Sequence, residues 1–266
     1  MLSLILDNNA LVRILAFLVA VSLIAFWEML SPRRRLSVSK TVRWVNNWLL
    51  SALNSVLLPL VFPLMAVGLA LLAEEHQWGL FNLLELPDLV TIPLFILLFD
   101  LAIYWQHRLF HIVPLLWRLH RVHHADPDID VSTGIRFHPI SIILSMLIKM
   151  AVVVLLGPPA VAVLLAEIIL NLTSMFNHGN IRIPLRLDAV LRFFVVTPDM
   201  HRVHHSCIPD ETNSNFGFNF PWWDRLFGSY RAQPGKGHCG MDIGVTGLGA
   251  IEQQRLDKLL LQPLAR

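Results

Sequence analysis

Charge is scarce in this chain. Only 15% of its 266 residues are Asp, Glu, Lys or Arg, whereas 55% are hydrophobic, and the mean hydropathy is positive. Soluble domains carry about 25% charged residues, so a bilayer is the expected solvent. A net charge of +2, with the basic residues set beside apolar runs, excludes nucleic acid as a partner. Cysteine occurs twice, as Cys207 and Cys239, in neither CxxC nor zinc-ribbon spacing. That rules out a disulfide framework and predicts plain thiols facing a reducing compartment. The letters GxGxxG occur only in the glycine-rich tail, at 235–240, outside any strand-to-helix unit, and no phosphate-binding loop is present, so the chain has no evident nucleotide cofactor site of its own. The HExxH signature of zinc hydrolases is also missing. There is no low-complexity tract, no Pro/Gly-rich linker and no repeat outside the histidine motifs.

Histidine is in excess. There are twelve, against two tyrosines, and ten of the twelve fall between His107 and His205. The apolar runs explain how that stretch meets the membrane. A first run, about Ala10 to Leu30, is roughly 20 residues long, enough to cross a bilayer. It ends in Ser31-Pro32-Arg33-Arg34-Arg35, a stop-transfer pattern and not a cleaved signal peptide. A second run covers about Trp48 to Leu72 and a third about Leu89 to Trp105. The loop 31–47 carries Arg33, Arg34, Arg35, Lys40 and Arg43. Loop 73–88 carries Glu74, Glu75, Glu85 and Asp88 with no basic residue. The positive-inside rule then makes 31–47 cytoplasmic and 73–88 external. The third helix would deliver His107 to the cytoplasmic face. Runs from about Ile140 to Leu156 and Ala160 to Phe176, joined by Gly157-Pro158-Pro159, read as a helical hairpin that starts and ends inside. His138 and His178 flank it, so all ten clustered histidines are expected at one membrane surface. The final stretch, Ile251 to Leu261, sets Leu256, Leu259 and Leu260 on one side and reads as a surface helix on the body or the membrane.

The expected fold is therefore all-α, a polytopic membrane helix bundle with a histidine-rich two-metal site at its cytoplasmic face. Residues 1–88 supply N-terminal membrane helices, 89–231 the site, and 232–266 a cytoplasmic tail. His107-Arg108-Leu109-Phe110-His111 is HxxxH, and i, i+4 spacing sets both imidazoles on one helix face, suited to chelating one ion. His120-Arg121-Val122-His123-His124 is HxxHH, and His201-Arg202-Val203-His204-His205 repeats those five letters. A lone HxxxH is more often packing than a ligand set. Two identical HxxHH copies on one predicted face argue otherwise, because crowded imidazoles that can become charged repel one another. With His138 and His178 the count is ten imidazoles, enough for two five- or six-coordinate ions and too many for one tetrahedral zinc. Ligand type does not choose iron over zinc, nickel or copper. His76, in the external loop, and His238, in the tail, are assigned to neither ion.

These motifs, in this order and membrane setting, resemble the fatty acid hydroxylase and sterol desaturase superfamily over about Leu89 to Arg231. The run Asn215-Phe216-Gly217 through Trp223-Asp224-Arg225-Leu226-Phe227-Gly228-Ser229-Tyr230 is also similar to that family's sequence after its last histidine box. The resemblance implies a centre of two iron ions that uses dioxygen and external electrons to hydroxylate or desaturate a lipid or sterol-like substrate. Without an evident nucleotide site, the electrons imply a separate electron-donor protein. Two other classes compete: a membrane metal transporter or store, which would set ligands along a transmembrane path, and a zinc-dependent membrane hydrolase.

A further pattern lies upstream of the histidines. Asp100, Tyr104, His107 and His111 share one helix face; His138, Ser141, Ser145 and Lys149 share a second; Glu167, Asn171, Ser174 and His178 share a third. In each stripe the ionisable residue stands eleven positions from the outermost histidine, or ~16 Å along a helix. Asp100, Lys149 and Glu167 are expected to meet at that depth. Such a cluster would be either a neutralised structural group or a functional one, a proton path or a polar stop to a substrate tunnel.

Overall fold

The computed structural model describes residue 6 and residues 8–265, and among them it is helical, with two isolated β-bridges and no strand. The long elements are α1 (Asn9–Leu30), α2 (Lys40–Val61), α3 (Ala66–Glu75), α4 (Asp88–Ile112), α6 (Pro139–Leu156) and α7 (Ala160–His178). Between α4 and α6 lies α5 (Pro114–His124). After α7 come the shorter α8 (Leu185–Leu191), α9 (Pro198–His204), α10 (Trp222–Leu226) and α11 (Leu256–Leu261). Five segments are long and apolar enough to cross a membrane: Asn9–Leu30, Lys40–Leu83, Asp88–Ile112, Pro139–Leu156 and Ala160–His178. The chain is an integral, multi-pass membrane protein.

The second span departs from its expected form. In place of one helix from Trp48 to Leu72, α2 starts eight residues earlier, at Lys40, and stops at Val61; α3 resumes at Ala66. Pro63 is the cause, since it has no N–H to continue the ladder and disfavours helical backbone at Phe62 before it.

Helix α7 is the axis of the bundle. It packs against α1, α3, α4 and α9, and its small residues Ala160, Ala162 and Ala166 are buried, so neighbouring backbones approach closely without side chains intervening. Phe95 and Phe99 of α4, Ala66 and Ala70 of α3, and Met146 and Val153 of α6 complete the same apolar cluster. The hairpin from α6 to α7 turns at Gly157, whose φ of 60° is left-handed. A Cβ on Gly157 would stand 2.0 Å from the Trp78 carbonyl oxygen, and one on Gly79 would stand 2.2 Å from the Gly157 nitrogen. Loop 76–84 and the hairpin tip are thereby locked together at the end of the bundle away from the histidines.

At the histidine end, α4 stops at Val113 and α5 begins at once with Pro114 at its first position, where a missing N–H costs nothing. Two histidine-bearing helices are thus folded against each other. The next segment, 125–138, is held by α2: Arg43 is fully buried and pairs with Asp126 and, at 2.7 Å, with Asp130. Asn47 bonds Ser132 at 3.0 Å, and Arg136 donates to the Val122 carbonyl at 2.7 Å. Burial pulls Arg136 down to about 10, and Asp126, which burial alone would raise, is held below its ordinary value by Arg43 and Arg136. The tail closes over this end. The stretch expected as one helix from Ile251 to Leu261 is a 3-10 turn, Ile251–Gln254, followed by α11. Leu259 is buried against Leu50 of α2 and Val122 of α5, so α11 lies on the body.

Candidate metal centre

Nine of the ten candidate histidines come together. His107 and His111 of α4, His120 and His124 of α5 and His204 of α9 form one group; His123 of α5, His178 of α7, and His201 and His205 at α9 form another. Within each group the ring nitrogens lie within 4.8 Å of one another, and every ring except the half-buried His111 is buried. The groups abut, with His124 and His205 stacked at 4.5 Å between centroids and His120 5.3 Å from His123.

The two identical motifs are used in opposite senses. On α5 the i, i+4 pair His120 and His124 joins the five-histidine group, and His123 points to the other. On α9 the i, i+4 pair His201 and His205 joins the four-histidine group, and His204 crosses over. A helix turns 100° per residue, so the middle histidine of HxxHH leaves the face shared by the first and last. Each motif therefore feeds both groups, and the pair of motifs ties them into one centre.

Backbone carbonyls orient the rings. The Nδ1 atoms of His107, His123, His178 and His204 face the carbonyls of Phe216, Arg136, Ser174 and Ser214 at 2.9, 3.2, 2.8 and 2.8 Å. A ring that donates from Nδ1 keeps its lone pair on Nε2, the tautomer a metal ligand needs. Those Nε2 atoms point inward. His123 and His178 approach to 3.0 Å through Nε2, as do His178 and His201. Adjacent ligands of an octahedral ion with metal–nitrogen bonds of ~2.1 Å stand about that far apart. In the other group, Nε2 of His107, His120, His124 and His204 and both nitrogens of His111 are buried with no hydrogen-bond partner. Buried imidazole nitrogens without partners are costly in a metal-free protein, so this donor set fits cations. Burial, reinforced by neighbouring imidazoles, holds His120, His123, His124, His201, His204 and His205 well below 6.5. The rings are neutral, as ligands must be.

His138, expected among the ligands, joins neither group. It caps α6: Nδ1 accepts the Ile140 N–H at 3.2 Å, which leaves Nε2 to donate to the Leu260 carbonyl at 3.3 Å. Both nitrogens are engaged, and the Pro139 that follows makes this residue the natural helix cap. His76 is exposed in its loop. His238 is buried away from both groups, its Nε2 3.5 Å from Asp199, and burial lowers it to about 4.

The triad of charges also needs correction. Asp100 does not meet Lys149 or Glu167. It accepts the N–H groups of Asn219 and Phe220 at 3.1 and 3.2 Å and the Trp223 indole N–H at 2.9 Å. Equal depth along three helices does not fix direction around them, and this face of α4 looks toward segment 215–223. Glu167 instead pairs with Arg13 of α1 at 2.6 Å. Arg13 was legible by the rule that singled out Lys149, an ionisable residue in an apolar span. It escaped a count made back from histidines because α1 has none.

Also unforeseen was the support given by Asp224. Its carboxylate accepts the N–H groups of Phe216 and Gly217, both at 2.8 Å, and the Ser229 hydroxyl at 2.7 Å. It thereby fixes the loop whose Phe216 carbonyl orients His107. Burial raises Asp224 to about 6 against these hydrogen bonds.

From the histidines a cavity of about 570 Å³ runs into the bundle, within the ~300–1,000 Å³ usual for ligand pockets. His107, His120 and His123 lie at one end of its lining and Arg13, Lys149 and Glu167 at the other.

The fold and site define a polytopic membrane protein with two abutting histidine groups, able to hold metal ions, at the foot of an intramembrane cavity. The fatty acid hydroxylase profile matches residues 92–229, just over half of the chain, and the chain belongs to that family, in agreement with its histidine motifs. It is 29% identical to the ornithine lipid hydroxylase OlsE of Rhizobium tropici over 178 residues, 67% of this chain and 51% of that protein. Against the alkylglycerol monooxygenase of Danio rerio the identity is 30% over 211 residues, 77% and 46% of the two chains. Lathosterol oxidase of Homo sapiens is 30% identical over 158 residues, 59% and 48%. The chain spans about half the length of these relatives. No solved structure matches it.

Proposed function

We propose that this protein is a non-haem di-iron oxygenase that hydroxylates or desaturates a membrane lipid or sterol-like molecule. The observation that carries the reading is the pair of abutting groups, five and four histidines, opening on a cavity within the membrane-spanning bundle. His107, His111, His120, His124 and His204 would hold one iron, and His123, His178, His201 and His205 the other. Two irons bound there would supply the redox chemistry by which dioxygen reacts with an unactivated C–H bond. For a hydroxylation the balance is R–H + O2 + 2 electrons + 2 protons giving R–OH + H2O. The one GxGxxG, at 235–240, follows no strand and opens only a four-residue helix, unlike a dinucleotide site, so a separate electron-donor protein supplies the two electrons.

What the protein's own residues do follows from their positions. Carbonyls of Phe216, Arg136, Ser174 and Ser214 fix ring orientation, and Asp224 and Asp100 fix the loop 215–223. The cavity, lined largely by apolar side chains, lays the substrate against His107, His120 and His123. Among the described residues no carboxylate joins either histidine group, which argues against a hydrolase that relies on a carboxylate base. The relatives named as a hydroxylase, a monooxygenase and an oxidase of three different lipids support the chemistry and leave the substrate open. The arginines at 33–35 beside the histidine end, and the acidic loop 73–88 at the other, support a centre on the cytoplasmic side.

Untargeted lipid profiling of cells carrying the wild-type protein or His204→Ala tests the reading. We expect one lipid class to accumulate in the variant and its oxygenated or desaturated product to disappear. Identical profiles, with the wild-type protein folded and metal-loaded, would contradict it.

A further inference from the structure

The end of the cavity remote from the histidines is charged. Arg13 and Glu167 neutralise one another through their 2.6 Å ion pair. Lys149 lines the same cavity and feels the charges of Glu167 and Arg13, but it has no hydrogen bond and no carboxylate within 4.0 Å among the described residues. The three side chains therefore carry one surplus positive charge.

Their place in the bundle is consistent across helices. Arg13 lies in the second turn of α1, which starts at Asn9. Lys149 stands seven residues before the end of α6 and Glu167 seven after the start of α7. All three are nearer the hairpin tip than the histidines, from which eleven helical residues, ~16 Å, separate Lys149 and Glu167. An ammonium group in this part of a membrane is costly unless paired or hydrated. A purely structural ion cluster would balance its formal charges, and this one sets two basic side chains against one carboxylate.

We propose that this end of the cavity is an anion subsite, in which Lys149, beside the Arg13–Glu167 pair, binds the single acidic group of an amphiphilic lipid. The matching ligand bears one negative charge, a carboxylate or a phosphodiester. Its hydrocarbon portion runs along the cavity and brings a carbon remote from the acid to His107, His120 and His123. That last step rests on the oxygenase reading; the subsite itself does not. Lys149 is a specificity residue, acting through charge at a distance from the reacting carbon.

Binding measured on the full-length protein in nonionic detergent tests the subsite without catalysis. The probes are palmitate, hexadecyl methyl phosphate and hexadecanol, which share a chain length and differ in head group. We expect palmitate, hexadecyl methyl phosphate or both to bind the wild-type protein at least ~10-fold more tightly than hexadecanol, a difference of about 1.4 kcal/mol. The favoured anion identifies the natural acid. In Lys149→Gln that preference should fall to near unity, and in Lys149→Arg it should persist. Removing a surplus charge should leave the melting temperature of Lys149→Gln unchanged or raised, whereas a structural ion cluster would lower it. Equal binding of acid and alcohol by the wild type would overturn the proposal, as would a preference undiminished in Lys149→Gln. If that variant does not fold, the wild-type comparison and Lys149→Arg still decide. The preference should also survive in His204→Ala. A protein that keeps it but contains no iron would refute the oxygenase reading and leave the subsite standing.

Discussion

A histidine in this chain is a ligand candidate because of what its second nitrogen touches. His107 and His204 turn Nδ1 to a carbonyl and present a buried, unpartnered Nε2 to the centre; His138 uses both nitrogens in capping α6 and reaching Leu260. In sequence His107 and His204 sit in spaced motifs and His138 stands alone before Pro139, and motif spacing says nothing of the cap. The difference is measurable by metal titration of three variants. His204→Ala should lose metal binding at the centre and all turnover. Asp224→Ala should weaken metal affinity by ~10–100-fold, the usual cost of losing a residue that orients ligands, because Phe216 and Gly217 lose their anchor. His138→Ala should bind metal as the wild type does. Metal loss in His138→Ala with the other two unaffected would invert this assignment.

Helices and turns differ in how far they could be read from sequence. The first, fourth and fifth spans appear within two residues of their apolar runs, because length and hydropathy suffice to define a membrane helix, and the third starts one residue early and continues seven residues past its run, to Ile112. Direction around a helix is set by its neighbours, which periodicity does not identify. That is why Asp100 shares a depth with Lys149 and Glu167 without meeting them, and why the split of each HxxHH between two groups was not foreseen. The break at Pro63 was visible as a proline and was overridden by the hydropathy of its surroundings. The locking of loop 76–84 onto the hairpin was not visible at all, since Gly79 and Gly157 look like ordinary turn glycines. Their contact makes a test. Gly157→Ala must adopt a left-handed φ and also place a methyl against the Trp78 carbonyl. Gly247, with φ of 84° and nothing within 4 Å of an added Cβ, carries the first penalty alone. Thermal unfolding should show Gly247→Ala destabilised by about 1 kcal/mol and Gly157→Ala by distinctly more, on the order of 2–3 kcal/mol. Equal losses would mean that the close approach contributes nothing.

The molecule as a whole places a charged recognition end and a histidine end at opposite ends of one cavity, with α7 as the shared wall. Residues 1–88 and 232–266 are integral to that arrangement: α1 and α2 contribute Arg13 and Arg43, and α11 packs on α2 and α5. Loss of either region would expose the centre or open the cavity. The account depends most on the identity and number of the ions. The most direct measurement is metal analysis of the purified protein, paired with dioxygen uptake when a reductant is added. Two irons per chain, with dioxygen consumed only in the presence of reductant and not by His204→Ala, is the predicted result. A single zinc per chain, with no dioxygen uptake under any reductant, would contradict it.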